Sequence, residues 1–98
     1  ALHLLNDQMI HRLATEFAAN IRNQAGNSPA DQVKQIYRLA FGREASEEEI
    51  SIGTESMNAL NREWLKANPK TTAEEAAQKS LTNYCHAIFN LAEFQYID

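Results

Sequence analysis

The run Ile36-Tyr37-Arg38-Leu39-Ala40-Phe41-Gly42-Arg43-Glu44-Ala45-Ser46-Glu47-Glu48-Glu49-Ile50 holds a helix end, a turn and a helix start within fifteen residues. Gly42 suits the left-handed residue that stops a helix. Ser46 suits an N-cap, and Glu49 lies three residues on, the spacing of a capping box. Glu47, Glu48 and Glu49 also place negative charge at the positive end of the helix dipole. The connection is about four residues long, which favours antiparallel or sharply angled neighbours. Gly42, Arg43, Ser46 and Glu49 are thus read as a structural corner. Arg43 is expected to reach the open carbonyls of the preceding helix, or to pair with Glu49 or Glu93.

Working back from the corner, Ser28 is the expected cap of a helix that runs to about Phe41, with Pro29 at its first position. Val33, Ile36, Tyr37, Ala40 and Phe41 share one face of it, and Leu39 falls off that face. Apolar residues thus cover more than half the circumference, which places this helix centrally. Before it, Ala25-Gly26-Asn27 ends a long first helix. Ile10, Leu13, Phe17 and Ile21 form that helix's stripe, widened by Met9, Ala14, Ala18 and Ala25. Asn6 or Asp7 is the expected cap. Ala1–Leu5 are apolar and uncapped, and read as a lead-in from a larger protein.

Forward of the corner, Ile50, Gly53, Met57, Leu60, Trp64 and Ala67 repeat at three and four, a narrow seam like that of a coiled coil. Gly53 costs roughly 1 kcal/mol of helix propensity relative to Ala. Its place on the seam predicts a close helix approach, with Phe41 or Tyr37 as the expected neighbours. Asn68-Pro69-Lys70-Thr71 is a break. Thr72 then caps a fourth helix, with Glu75 completing a second capping box. Ala73, Ala76 and Ala77 predict tight packing, and Leu81, Tyr84, Cys85, Ile88 and Phe89 supply the bulk. Phe94, Tyr96 and Ile97 are too apolar for a free tail and are expected to lie over the bundle. The fold class is all-α, a compact four-helix antiparallel bundle in one domain with a short C-terminal segment packed on it.

Composition bounds the function. The 98 residues carry three Gly and two Pro, with 44% apolar residues and net charge −4. A pI near 5.3 and scattered bases argue against a nucleic-acid partner. No run of transmembrane length occurs, which argues against membrane insertion. The chain starts at Ala1 without an initiator Met, and reads as an excised piece with targeting segments upstream.

Chemistry-bearing residues are few. Cys85 and His86 are adjacent, but consecutive helix positions point about 100° apart and form no nucleophile–base dyad. The expected state is a buried Cys85 and a half-exposed His86. His3, His11 and His86 are too few and ill-spaced for a zinc site, although His3 and His11 share one helical side. No Cys-x-x-Cys-His occurs, so no haem attaches covalently within this chain. Nothing selects a hydrolytic carboxylate pair. No catalytic, cofactor or metal residue is assigned. Tyr37, Arg43 and Trp64 are the candidate interaction residues, with core the expected place for Trp64.

The corner run, the ending Asn90-Leu91-Ala92-Glu93-Phe94-Gln95-Tyr96-Ile97-Asp98 and the opening Leu5-Asn6-Asp7 together resemble the C-terminal part of the planctomycete cytochrome-C-associated domain of unknown function. The resemblance spans most of the chain in order and spacing. Ala45 stands where that family often has Pro, and Leu91-Ala92 replaces a Ser-Asn pair. A looser likeness exists to other helical domains with Leu-Gly-Arg turns, some of them secreted. The resemblance implies the end of a long exported or periplasmic protein. It transfers no activity and no functional residue. Two functions are expected from these readings. The first is a non-catalytic packing or interaction module, contacting upstream domains of the same protein or another protein. The second is the terminal part of a polysaccharide-processing or electron-transfer enzyme whose active site lies upstream.

Overall fold

The computed structural model describes residues 7–95, with side-chain surroundings described through residue 91. Four helices follow in order: α1 (Asp7–Ala25), α2 (Pro29–Phe41), α3 (Glu47–Ala67) and α4 (Ala73–Gln95). Their ends follow from local chemistry. Ser28 has extended backbone and its hydroxyl accepts from the Asp31 N–H, while Pro29 opens α2 without wasting a donor. Gly42 sits at φ 67° and donates its N–H to the Arg38 carbonyl, closing α2. That left-handed backbone is strained for any residue with a Cβ. Ser46 and Glu49 form the reciprocal capping box of α3. At α4, the Thr72 hydroxyl accepts from the Glu75 N–H at 3.1 Å. It also lies 3.0 Å from the Glu75 carboxylate.

The helices pack antiparallel. α4 lies against α1, α3 and α2, and α2 likewise touches all three others. Phe17 of α1 meets Phe89 of α4 with ring centroids 4.9 Å apart. Near the other end of the same pair, Arg22 reaches Glu74. The core holds Ile21, Val33, Ile36, Leu81 and Cys85 fully buried, with Ala14, Ala18, Tyr37, Met57, Tyr84 and Ile88 around them. α4 runs through Asn90 to Gln95 without a break. The expected packing of Phe94, Tyr96 and Ile97 lies outside the described side chains, as does the lead-in Ala1–Leu5.

Several packing expectations shift. Ala14 and Ala18 are fully buried and Leu13 is exposed. Small side chains admit a neighbouring helix more closely, so the α1 stripe is centred on the alanines rather than on Leu13 and Phe17. On α4, Ala76 alone of the three alanines is buried; Ala73 and Ala77 face solvent. Leu39 is exposed in the last turn of α2, because three neighbouring helices do not enclose all sides of a fourth.

Gly53 is buried as expected, and the atoms nearest to it belong to Tyr84 and Val33 rather than to Phe41 or Tyr37. A Cβ there would lie 2.6 Å from the Tyr84 hydroxyl and 2.7 Å from the Val33 Cγ2. The antiparallel register brings the first third of α3 against the middle of α4, with Val33 of α2 on its other side. The seam on α3 is also buried unevenly. Gly53 and Met57 are enclosed, Leu60 and Trp64 are half-buried, and Ala67 is exposed. The cause is length. α2 has 13 residues and α3 has 21, so α2 stops roughly 12 Å short of its partner at 1.5 Å per residue. The second half of α3 has α4 beside it and no α2.

Candidate functional site

At the corner, Arg43 forks onto Glu49, Nη1 donating to Oε1 and Nη2 to Oε2, both at 2.8 Å. The same Glu49 carboxylate accepts from the Ser46 N–H at 2.8 Å, and the Glu49 N–H donates to the Ser46 hydroxyl at 3.1 Å. One carboxylate thus serves the helix cap and the turn arginine together. Arg43 also lies over the rings of Tyr37 and Phe41, 5.3 and 5.8 Å from their centroids. Its carbonyl partner is Glu44 of the turn, not the end of α2: the Glu49 fork draws the guanidinium forward. Tyr37 is buried against Phe41. Gly42, Arg43, Ser46, Glu49 and Tyr37 therefore do come together.

A second fork escaped the sequence reading. Arg38 donates from Nε to Glu44 Oε2 at 2.7 Å and from Nη2 to Oε1 at 3.2 Å. The available signal was a pair six residues apart spanning Gly42, the same separation as Arg43 and Glu49. Both acids titrate low for this reason. The Arg38 bond holds the Glu44 carboxyl below its ordinary range. The Arg43 bond, with the Ser46 N–H, pulls Glu49 from its ordinary 4.5 to about 2.

A carboxylate with a depressed folded-state pKa adds stability above its ordinary value and loses it as pH falls through the folded value. The Glu49 contribution is therefore full above pH 4.5 and fades towards about pH 2. Glu49→Gln is expected to flatten the acid limb of a stability–pH curve measured by urea unfolding, with no change in slope above pH 6. An unaltered acid limb would refute this linkage.

Trp64 does not join the corner. It lies in the second half of α3, half-buried, with Lys79 Nζ 5.0 Å from its ring centroid. The core expected for it is incomplete because α2 does not begin until past that level. Its Nε1 is buried without a hydrogen-bond partner, as are Thr54 Oγ1 and Asn61 Oδ1 on the same helix.

Cys85 is fully buried, and burial pushes its thiol up to about 12, which leaves it inert as a nucleophile at neutral pH. Burial likewise raises the Tyr84 phenol. His86 is half-exposed, as expected, and its Nδ1 lies 3.3 Å from Asn90 Nδ2. His11 of α1 meets His86 of α4 with ring centroids 6.2 Å apart, and His3 lies outside the described residues. Among the described residues no group of three or more His, Cys, Asp or Glu converges to hold a metal ion.

The end of the bundle opposite the corner carries a groove of about 480 Å³ between the end of α1, the start of α2, α3 and α4. Arg22 and Gln78 line it, over a floor that includes Met57 and Leu81. No residue of this groove was assigned from sequence, because its walls come from all four helices.

No family model, curated protein or solved structure matches the chain. Among the described residues no helix is long and apolar enough to cross a membrane.

Proposed function

We propose that this chain is a helical packing and interaction module of a larger exported protein. In this reading it docks on neighbouring domains through the corner end of the bundle. One observation carries the reading. Among the described residues the exposed large apolar side chains are Met9, Leu13, Leu39, Ile52 and Leu91. Met9 and Leu13 lie in the first two turns of α1, Leu39 in the last turn of α2, Ile52 in the second turn of α3, and Leu91 near the end of α4. In an antiparallel bundle these positions belong to one half of the molecule, the half that holds the corner. Exposed apolar residues scattered singly need no explanation; that these share one half of the bundle supports that half as the side offered to a partner. The resemblance of the corner and of Asn90–Asp98 to the terminal part of the planctomycete cytochrome-C-associated domain supports the same context.

The forks at the corner fit a structural role in this surface. Arg43 spends its donors on Glu49 and Glu44 and its face on Tyr37 and Phe41. It thus braces the turn at this end of the bundle. The test is co-purification of this chain with the region expected upstream, followed by hydrogen exchange on the complex. Protection at the first turns of α1 and the last turns of α4 is expected, and Leu13→Asp with Leu91→Asp should abolish it. A chain that stays monomeric beside the upstream region, with exchange unchanged at both helices, would defeat the proposal.

A further inference from the structure

The groove at the opposite end is a separate feature with its own chemistry. Arg22, in the last turn of α1, stands on its wall with its side chain 26% exposed. Three acceptors hold it. Nε donates to Asn27 Oδ1 at 3.1 Å, Nη1 to Gln78 Oε1 at 3.1 Å, and Nη2 to Glu74 Oε1 at 2.9 Å. A guanidinium has five N–H groups, so one remains on each Nη. These bonds also orient the amides around it. Asn27 and Gln78 direct their carbonyl oxygens at Arg22, which leaves their NH₂ groups unused by it.

The groove therefore presents a fixed cation with two N–H groups still unused, while the Glu74 carboxylate and the buried, unpartnered Asn61 Oδ1 also line it. The planar fork matches a carboxylate, which accepts at two oxygens. Glu74 already places one carboxylate oxygen on this fork. Its side chain is 77% exposed at the rim, and exposed ion pairs of this kind are held weakly. It stands where an incoming carboxylate would bind. The rest of the lining mixes apolar Met57 and Leu81 with polar Asn58, Asn61 and Ser80. Met57 and Leu81 are 5% and 2% exposed, and methionine adapts its shape to what it covers. A volume of about 480 Å³ lies within the usual range for small-molecule sites.

We propose that this groove binds a small organic monocarboxylate with a short apolar tail, its carboxylate displacing Glu74 from Arg22 and its tail resting on Met57 and Leu81. The proposal is independent of docking at the corner end, which uses other residues.

Titration of the isotope-labelled chain by amide NMR tests it, with butyrate as the probe and butyramide as its neutral counterpart at constant ionic strength. Saturable shifts at Met57, Gln78 and Leu81 are expected with butyrate. Butyramide should bind at least about tenfold more weakly, since charge-assisted hydrogen bonds are the stronger kind. Glu74→Gln removes the internal competitor and should tighten butyrate binding several-fold. Arg22→Met should abolish it, and Arg22→Lys should restore only part of it, because a point charge lacks the fork. The Glu74→Gln arm touches an exposed residue and stays informative if Arg22→Met unfolds the chain. Absence of saturable shifts in both the unaltered chain and Glu74→Gln would overturn the site. So would equal binding of butyramide.

Discussion

Gly53→Ala is expected to destabilise the bundle by about 1–3 kcal/mol, the usual range for overpacking a tight interior. The sign is informative because Ala is the better helix former by about 1 kcal/mol. An exposed helical glycine would gain from the change. Gly53 is buried, and its new Cβ would meet the Tyr84 hydroxyl at 2.6 Å and the Val33 Cγ2 at 2.7 Å. Neither neighbour yields easily. Val33 is fully buried and Tyr84 is 8% exposed, and a β-branched side chain has little freedom about χ1. Urea unfolding checks the value. Val33→Ala in the Gly53→Ala background should then cost less than it does alone, a coupling that a double-mutant cycle measures. If Gly53→Ala raised stability, the close approach of α2 and α4 to α3 would be wrong.

Ile36→Ala is expected to cost about 2–5 kcal/mol, the range for deleting a buried aliphatic side chain. Ile36 is fully buried at the centre of the core cluster. Domains of this kind have a total stability of only about 5–15 kcal/mol. The melting temperature should therefore fall by more than about 10 °C, at about 4–8 °C per kcal/mol for a chain this size. Ile52→Ala is the matched control. Ile52 is 57% exposed, and the same chemical change there should stay within about 0.5 kcal/mol. A thermal melt followed by circular dichroism reads both. Equal effects at the two positions would mean that Ile36 is not enclosed.

The comparison of Ile36 with Ile52 shows how far sequence patterning reaches. Ile36 shares a face with Val33, Tyr37 and Ala40 and is buried, whereas Ile52 lies off the seam of α3 and is exposed. Periodicity serves well for Ile36. It serves less well where small residues intervene. On α1 it placed Leu13 on the buried stripe, although Ala14 and Ala18 hold the core side. A stripe of large residues is easy to see, whereas the closeness that alanine permits depends on the helix that arrives opposite.

The candidate site divides in the same way. The corner was legible because its partners are near in sequence. Ser46 and Glu49 are three apart, and Arg43 and Glu49 are six apart. The groove was not legible. Arg22 meets Glu74 and Gln78 across 52 and 56 residues, and no local spacing records that. Trp64 illustrates the same limit, since its half-burial depends on where α2 begins.

The sequence by itself determined the number of helices, the caps that start and stop them, and the antiparallel order that short connections impose. Those features rest on hydrogen bonds and dihedral preferences within a few residues of each other, so the local chain specifies them. Only the tertiary structure decided that Gly53 lies under Tyr84 and Val33, that His11 meets His86, that the exposed large apolar residues among those described lie in the corner half, and that Arg22 stands in a groove. These depend on helix lengths and rotations in combination. An eight-residue difference between α2 and α3 leaves one end of the bundle open.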